Sequence, residues 1–263
     1  MTVTAAVLTP RPGQGSTAWA IALAWEASES APVLLIDADP QGGTVADYLG
    51  LDLGAGGGGP SMARLFGPPE VSASAIEANA VPVPARPNLR VVPGLSGFCG
   101  PSMQSFLPKL SPRDGSDVHA PDVIRRRAPN VLTQVTAEVV IVDLGAPLAH
   151  PDLQSAERVA EAISAAFQRV FVVIRDSPGL LAHNLTVLRA AHLARGEVIL
   201  IGGAGRAGAG RDMRRVVGDA LAHSVPETAL GAEWAWRPDA AQAAEQSGRA
   251  MPAPGLARAL HLL

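Results

Sequence analysis

The chain has 263 residues, 48% of them hydrophobic and 17% charged, with a formal net charge of −3. That length carries one α/β domain with a substantial core, and the composition excludes a wholly disordered chain. The charge balance gives no global case for nucleic-acid binding, the single cysteine, Cys99, leaves no internal disulfide, and no apolar run approaches the roughly 18 residues that span a bilayer. Residues Met1–Ala5 lack the basic and apolar regions of a signal peptide. The expected setting is cytoplasmic, with a single domain over 1–263.

In chain order, the apolar run Val3 to Leu8 predicts a strand. Thr9-Pro-Arg-Pro-Gly-Gln-Gly-Ser-Thr17 follows as a glycine turn, and the alanine-rich run from Ala18 to about Ser28 predicts a helix. Four further runs are almost wholly apolar: Val33–Ile36, Val139–Val142, Val170–Ile174 and Val198–Ile201. Strands buried on both faces read this way, and they belong to parallel sheets covered by helices. Helical segments are expected at about 152–167, 179–195 and 209–222. The alternation predicts a doubly wound, mainly parallel α/β fold with helices on both faces, of the phosphate-loop NTPase type.

The region from about 52 to 130 is irregular and rich in glycine and proline. Within it, Ser61–Phe66 and Ser72–Asn79 predict short helices, Leu89–Val92 a strand, and Met103–Leu107 a short helix in a proline-rich loop. Pro121–Ala137 reads as helical, ended or kinked by Pro129. Beyond Val225 the pattern gives a strand or loop, then helices near 239–247 and 255–262.

The chemistry is concentrated where strands end. A helix N-terminus after a glycine turn presents backbone N–H groups to an anion, and the helix dipole adds to the attraction. The general phosphate-loop pattern also carries a lysine before its Ser/Thr, reaching the β- and γ-phosphates. Here Ser16 stands in that place, Thr17 is the hydroxyl residue, and Pro10 replaces the first glycine. A purely structural turn would look similar. The second motif is Asp37-Ala-Asp-Pro-Gln-Gly-Gly43. Alternate residues of an extended segment share a face, so Asp37 and Asp39 are both expected to face the crevice. One is suited to Mg²⁺-bound water and the other to a reacting water; an Asx turn with solvated carboxylates fits the same residues.

Together these segments resemble the ParA/MinD family of deviant phosphate-loop ATPases. That family carries K-G-G-x-G-K-T-T in its first loop and D-x-D-P-Q-G after its second strand. The chain offers Arg11-Pro-Gly-Gln-Gly-Ser-Thr-Ala18 and Asp37-Ala-Asp-Pro-Gln-Gly42. Val139-Val-Ile-Val-Asp-Leu-Gly145 is similar to the family's Walker B strand. Arg237-Pro-Asp239 and Gly248-Arg-Ala-Met-Pro252 are similar to its closing loop and helix. The likeness covers most of the chain and is weakest over about 52–130.

The resemblance implies ATP or ADP with Mg²⁺, a homodimer with nucleotide at its interface, and a protein cargo or assembly partner. Carried over residue by residue, Gly13, Gln14, Gly15, Ser16, Thr17 and Ala18 cradle phosphates, and Pro238 and Asp239 lie at the nucleotide. Thr17, Asp37 and Asp143 are on the metal side. Asp39 orients the attacking water, and Arg11 reaches the partner's nucleotide. The departures bear on catalysis. Both loop lysines are absent, replaced by Arg11 and Ser16, Pro12 removes an N–H donor, and Gly202-Gly203 stands where the family has a base-reading asparagine. A hydrogen bond to a charged group contributes about 1.5–3 kcal/mol, so losing the lysine weakens binding roughly 10- to 150-fold. Hydrolysis is therefore expected to be slow or absent.

Missing loop lysines and Leu89-Arg-Val-Val-Pro-Gly94 look most like the TadZ/CpaE branch, whose members localise pilus or secretion machinery at a cell pole. The alternatives are an active partitioning ATPase moving DNA or protein, and a nucleotide-free interaction module. Arg206, Arg211, Arg214 and Arg215, with Arg125–Arg127, offer a surface for nonspecific DNA, against the simpler account of a solvated helix face. The weakly amphipathic tail 255–263 has too few cations to argue for membrane binding.

Overall fold

The computed structural model describes residues 2–39, 43–51, 72–94, 132–147, 160–161, 163–175 and 197–201. The expected apolar runs form strands: β1 (Val3–Leu8), β2 (Val33–Asp37), β5 (Val139–Asp143), β6 (Arg169–Arg175) and β7 (Glu197–Ile201). Two more strands, β3 (Val81–Val83) and β4 (Arg86–Val92), precede β5 in the chain. They build one seven-stranded sheet in the order β3-β4-β2-β5-β1-β6-β7. All neighbours pair in parallel except β3, which runs antiparallel to β4 at one edge. The doubly wound, mainly parallel reading holds.

β3 has no counterpart among the sequence expectations. Three residues with a central proline give a weak strand signal, and Pro82 is tolerated at a sheet edge because an edge strand need not donate on its outer side. The helices are α1 (Ser16–Ala27), α2 (Val45–Tyr48) and α3 (Ala73–Asn79). The Ser72 hydroxyl oxygen accepts from the Ala75 amide at 3.2 Å and so caps α3, close to the predicted start. Of the helix expected over Pro121–Ala137, the described part is helical only at Leu132, and 133–136 are turn and bends. That stretch runs directly into β5, whose pairing takes over the backbone bonds. Residues 163–166 are helical, as expected for the end of the 152–167 segment. The segments 61–66, 103–107, 179–195, 209–222, 239–247 and 255–262 lie outside the described residues.

α1 packs across β1, β2, β5 and β6. Its residues from Ala18 to Ala24 are all buried, so it has no solvent stripe and reads as a central helix rather than a surface one. Trp19 is its largest buried side chain and joins Leu23, Leu35, Ile141 and Phe171 in the core. Trp25 is only partly buried at the core's margin.

The strand order brings the chemistry together. The chain leaves β1, makes α1 and returns as β2, but β5 later inserts between β1 and β2. Their carboxyl ends therefore lie side by side, with Val7 and Asp37 both in register with Asp143. Backbone bonds continue past the strands: Leu144 N donates to Val7 O, Thr9 N to Gly145 O and Ala38 N to Asp143 O, at 2.7–2.8 Å. Ligands in such folds bind at this edge.

A candidate phosphate site at the head of the sheet

The glycine turn leaves β1 at Leu8 and enters α1 at Ser16. Gly13 and Gly15 hold positive φ, 79° and 94°, and Gly15 is the helix N-cap in the left-handed region. A side chain at Gly15 would cost about 1–2 kcal/mol in that conformation. No side chain caps α1, and its first turn holds no acidic residue. The turn is braced by the Thr9 hydroxyl, which donates to Arg11 O at 3.1 Å.

In front of the turn is a cleft of about 240 Å³. Thr9, Pro12, Gly13, Gly15, Ser16, Thr17 and Ala18 line it from the β1–α1 side. Asp39, Thr44 and Tyr48 line it from the β2–α2 side, and Gly145 and Ala146 from the end of β5. Of the residues expected in a cradle, Gly13, Gly15, Ser16, Thr17, Ala18 and Asp39 meet in this one space. Gln14 is buried, 2% exposed, and Arg11 is exposed; neither is among the lining residues. Pro238, Asp239, Arg206, Arg211, Arg214 and Arg215 lie outside the described residues.

The two aspartates of the second motif part company. Asp39 lines the cleft, whereas Asp37 is fully buried and does not. Regular strand ends at Asp37, so Asp39 lies beyond β2 and strand alternation no longer fixes the pair. Asp37 Oδ2 accepts from Val45 N at 3.0 Å and Oδ1 from Asp39 N at 3.3 Å. Its carboxyl thus ties the start of α2 to the end of β2. The approach is so close that a Cβ on Gly43 or Gly94 would overlap it.

Asp143 is also fully buried. Its Oδ1 accepts from Gly145 N at 3.1 Å, and the Thr17 hydroxyl bonds to the carboxyl and favours its charged form. Oδ2 has no hydrogen-bond partner. Burial, followed by repulsion from Asp143, pushes Asp37 up to about 7. Burial likewise pushes Asp143 up to about 6, against the opposing bonds from Thr17 and Gly145. A buried carboxylate with one oxygen unsatisfied, beside a hydroxyl at a phosphate turn, suits a hard cation that keeps most of its waters. The donors therefore fit Mg²⁺.

Thr9, Thr44, Tyr48, Gly145 and Ala146 line the cleft but carry none of the sequence motifs' expected roles. Gly145 is within reach of sequence reading, as the glycine two residues after a strand-end aspartate. Tyr48 is not, because its position depends on how the chain folds back through α2.

No family model matches the sequence, and no curated protein does. Solved structures do match. Apo McdA from Cyanothece superposes with a TM-score of 0.66 at 16% identity, covering 99% of this chain and 97% of that one. A ParA family ATPase from Chlorobium tepidum gives 0.64 at 16% identity, covering 95% and 90%. The septum site-determining protein MinD from Pyrococcus horikoshii, complexed with Mg-ADP, gives 0.54 at 16% identity, covering 94% and 95%. Among the described residues no helix is long and apolar enough to cross a membrane. The chain has the ParA/MinD-type phosphate-loop ATPase fold.

Proposed function

We propose that this protein is a ParA/MinD-like positioning or scaffold factor that binds ATP or ADP with Mg²⁺ and hydrolyses ATP slowly or not at all. The observation that carries the reading is the charge of the cleft. Among its described lining residues Asp39 is the one carboxylate, and there is no Lys, Arg or His. Backbone amides of the Gly13–Ala18 turn supply the attraction for a phosphate chain, assisted by the dipole of α1. Thr17 would hold Mg²⁺ directly and Asp143 through water. Bound there, the ion contributes the positive charge that this wall of the cleft lacks. Asp39 would orient a water in the cleft, but no cationic side chain in the described wall adds to the backbone amides in stabilising charge that develops on the phosphates. Electrostatic stabilisation of that charge is the main source of phosphoryl-transfer rate.

Arg11 is exposed and outside its own cleft, which suits a reach to the nucleotide of a second copy in a homodimer. A polar assembly role of the TadZ/CpaE kind, with a protein cargo, fits a nucleotide holder better than a motor. Asp39 in the cleft favours the second reading, an active partitioning ATPase, because a carboxylate there is what such hydrolysis needs.

Calorimetry with Mg·ATP beside a phosphate-release assay separates the readings. Binding without turnover supports the holder. Turnover that Asp39→Ala abolishes establishes the active ATPase, and no binding leaves an interaction module with an empty cleft.

A further inference from the structure

The second wall of the cleft, which carries Thr44 and Tyr48, is held from a place that does not line it. β4 runs parallel to β2 with Val92 in register with Ile36, so the chain leaves β4 next to the end of β2. Gly94, two residues past that point, is buried and is not among the cleft's lining residues. A Cβ on Gly94 would come within 2.7 Å of Gly43 Cα and within 2.8–2.9 Å of the Asp37 carboxyl. Neither neighbour can yield cheaply. Gly43 meets it with backbone, and the Asp37 carboxyl is buried with both oxygens bonded, to Val45 N at 3.0 Å and to Asp39 N at 3.3 Å. A Cβ on Gly43 would overlap the same carboxyl. The two glycines and the aspartate form a packed knot with no room for a methyl group on either glycine.

The knot joins the cleft by two routes. Gly43 directly precedes Thr44, and Val45, bonded to Asp37, opens α2. Tyr48 N donates to Thr44 O at 3.0 Å, so Thr44 and Tyr48 are one helical turn apart, both at the cleft, while Val45 and Leu49 belong to the core. α2 therefore has the core on one side, the cleft on the other and the knot at its start. Close-packed groups of this kind shift together rather than deform singly. We infer that Gly94 is a positioning residue for the nucleotide cleft: its missing side chain lets the end of β4 pack against Gly43 and Asp37, and so sets how far α2 carries Thr44 and Tyr48 toward the bound phosphates. The inference rests on the nucleotide-binding reading and extends it to a residue outside the cleft.

The test compares the two ends of β4 in the full chain. Gly94→Ala adds one methyl group to the knot, whereas Arg86→Ala lies the length of the strand away, about 23 Å, and lowers stability without reaching the knot. Both variants are checked for folding by their circular dichroism melts. Calorimetric titration with Mg·ADP should show about tenfold weaker binding by Gly94→Ala, and an affinity within about twofold of the wild type for Arg86→Ala. Tyr48 is the chain's single tyrosine, so tyrosine labelled with ¹³C at the ζ carbon gives one NMR signal, on α2 itself. In the nucleotide-free protein that signal should move in Gly94→Ala and stay in place in Arg86→Ala. Unchanged affinity in folded Gly94→Ala, weakening of the same size in both variants, or lost affinity with the Tyr48 signal unmoved overturns the positioning role while leaving nucleotide binding intact. Should Gly94→Ala not fold, hydrogen exchange of the wild type decides: Mg·ADP is expected to slow the Val45 and Gly94 amides together, and protection that stops at Val45, or none at all, overturns the role. Failure of the wild type to bind Mg·ADP overturns the binding reading and the positioning role together.

Discussion

The two ends of α1 are built on opposite principles. At its C-terminus nearly every group is used. Ser28 N donates to Ala24 O at 3.0 Å, the Ser28 hydroxyl to Trp25 O at 2.6 Å, and Asn88 Nδ2 to Ser28 O at 3.1 Å. Arg86 bonds Glu29 at 2.8 Å, and its guanidinium lies 4.8 Å from the Trp25 ring centroid. At the N-terminus there is no side-chain cap and no acidic residue to meet the dipole. A protein using this end only for stability would gain about 0.5–2 kcal/mol from a cap. An open N-terminus facing a cleft, against a fully tied C-terminus, is what an anion site requires, since any group that satisfied those amides would compete with the ligand.

The largest expected effect comes from the buried carboxyls beside the open end. Asp37 and Asp143 have folded-state values raised to about 7 and about 6, against 3.8 for the ordinary aspartate. Between these limits the native state holds protons that the unfolded chain has released. Their contribution to stability is therefore complete below about pH 4 and is lost as pH rises through 6 and then 7. The pair titrates together, and the loss amounts to several kcal/mol, since each tenfold difference in proton affinity between the folded and unfolded chain is worth about 1.4 kcal/mol. Urea denaturation of the nucleotide-free protein should give a midpoint that falls between about pH 4 and 7 and levels off above. Asp143→Asn should flatten that fall and raise the midpoint at the alkaline end. A midpoint that climbs over this range would mean the carboxyls are matched by cations, and the contrast between the two ends would fail.

Next in size is the charge itself. Ser16 lines the cleft at the position of the phosphate-loop lysine and is 5% exposed. Ser16→Lys should tighten ATP binding by roughly 10- to 150-fold, the equivalent of about 1.5–3 kcal/mol for a charge-assisted hydrogen bond. An unchanged affinity in calorimetry would show that the open end does not meet the phosphates. Gly15→Ala comes third. Its φ of 94° costs a Cβ about 1–2 kcal/mol, so the denaturation free energy should drop by that amount and nucleotide affinity should fall with it. A drop in stability with affinity unchanged would reduce the turn to a structural feature.

How much of this is legible in the sequence differs between fold and site for a physical reason. The fold rests on local patterns: runs such as Val139–Asp143 are buried along their whole length, and burial on both sheet faces leaves a continuous apolar signature. The glycine turn and Asp39 are legible because strand ends collect the ligand-binding groups of such folds. The direction of Asp37 is not, since alternation stops where β2 ends, and the bond from Val45 N that fixes it spans eight residues. Tyr48 reaches the cleft only through tertiary placement, and the close approach of the Asp39 carboxyl to the Gly145 backbone is a contact between two different strand ends. The short edge strand β3 exists through its pairing with β4 rather than through any preference of Val81-Pro82-Val83.

The smallest effect should come from the tied end, and its smallness sharpens the contrast. Arg86→Ala removes both the bond to Glu29 and the stacking on Trp25. The Glu29 side chain is 60% exposed, so water and salt screen the ion pair, which is worth at most about 1 kcal/mol. The cation over Trp25 adds about 0.5–1 kcal/mol at a site this open. The denaturation free energy should therefore fall by roughly 1 kcal/mol, with the ion-pair share shrinking in high salt. Because α1 is 12 residues long, Arg86 lies at the far end of the helix from the glycine turn, about 18 Å away at about 1.5 Å per residue. Effects at such separations add independently, so nucleotide affinity should stay within about twofold of the wild type. An Arg86→Ala protein that lost nucleotide binding while keeping its fold would mean that the two ends of α1 are coupled, and that the tied end helps to hold the open one in shape.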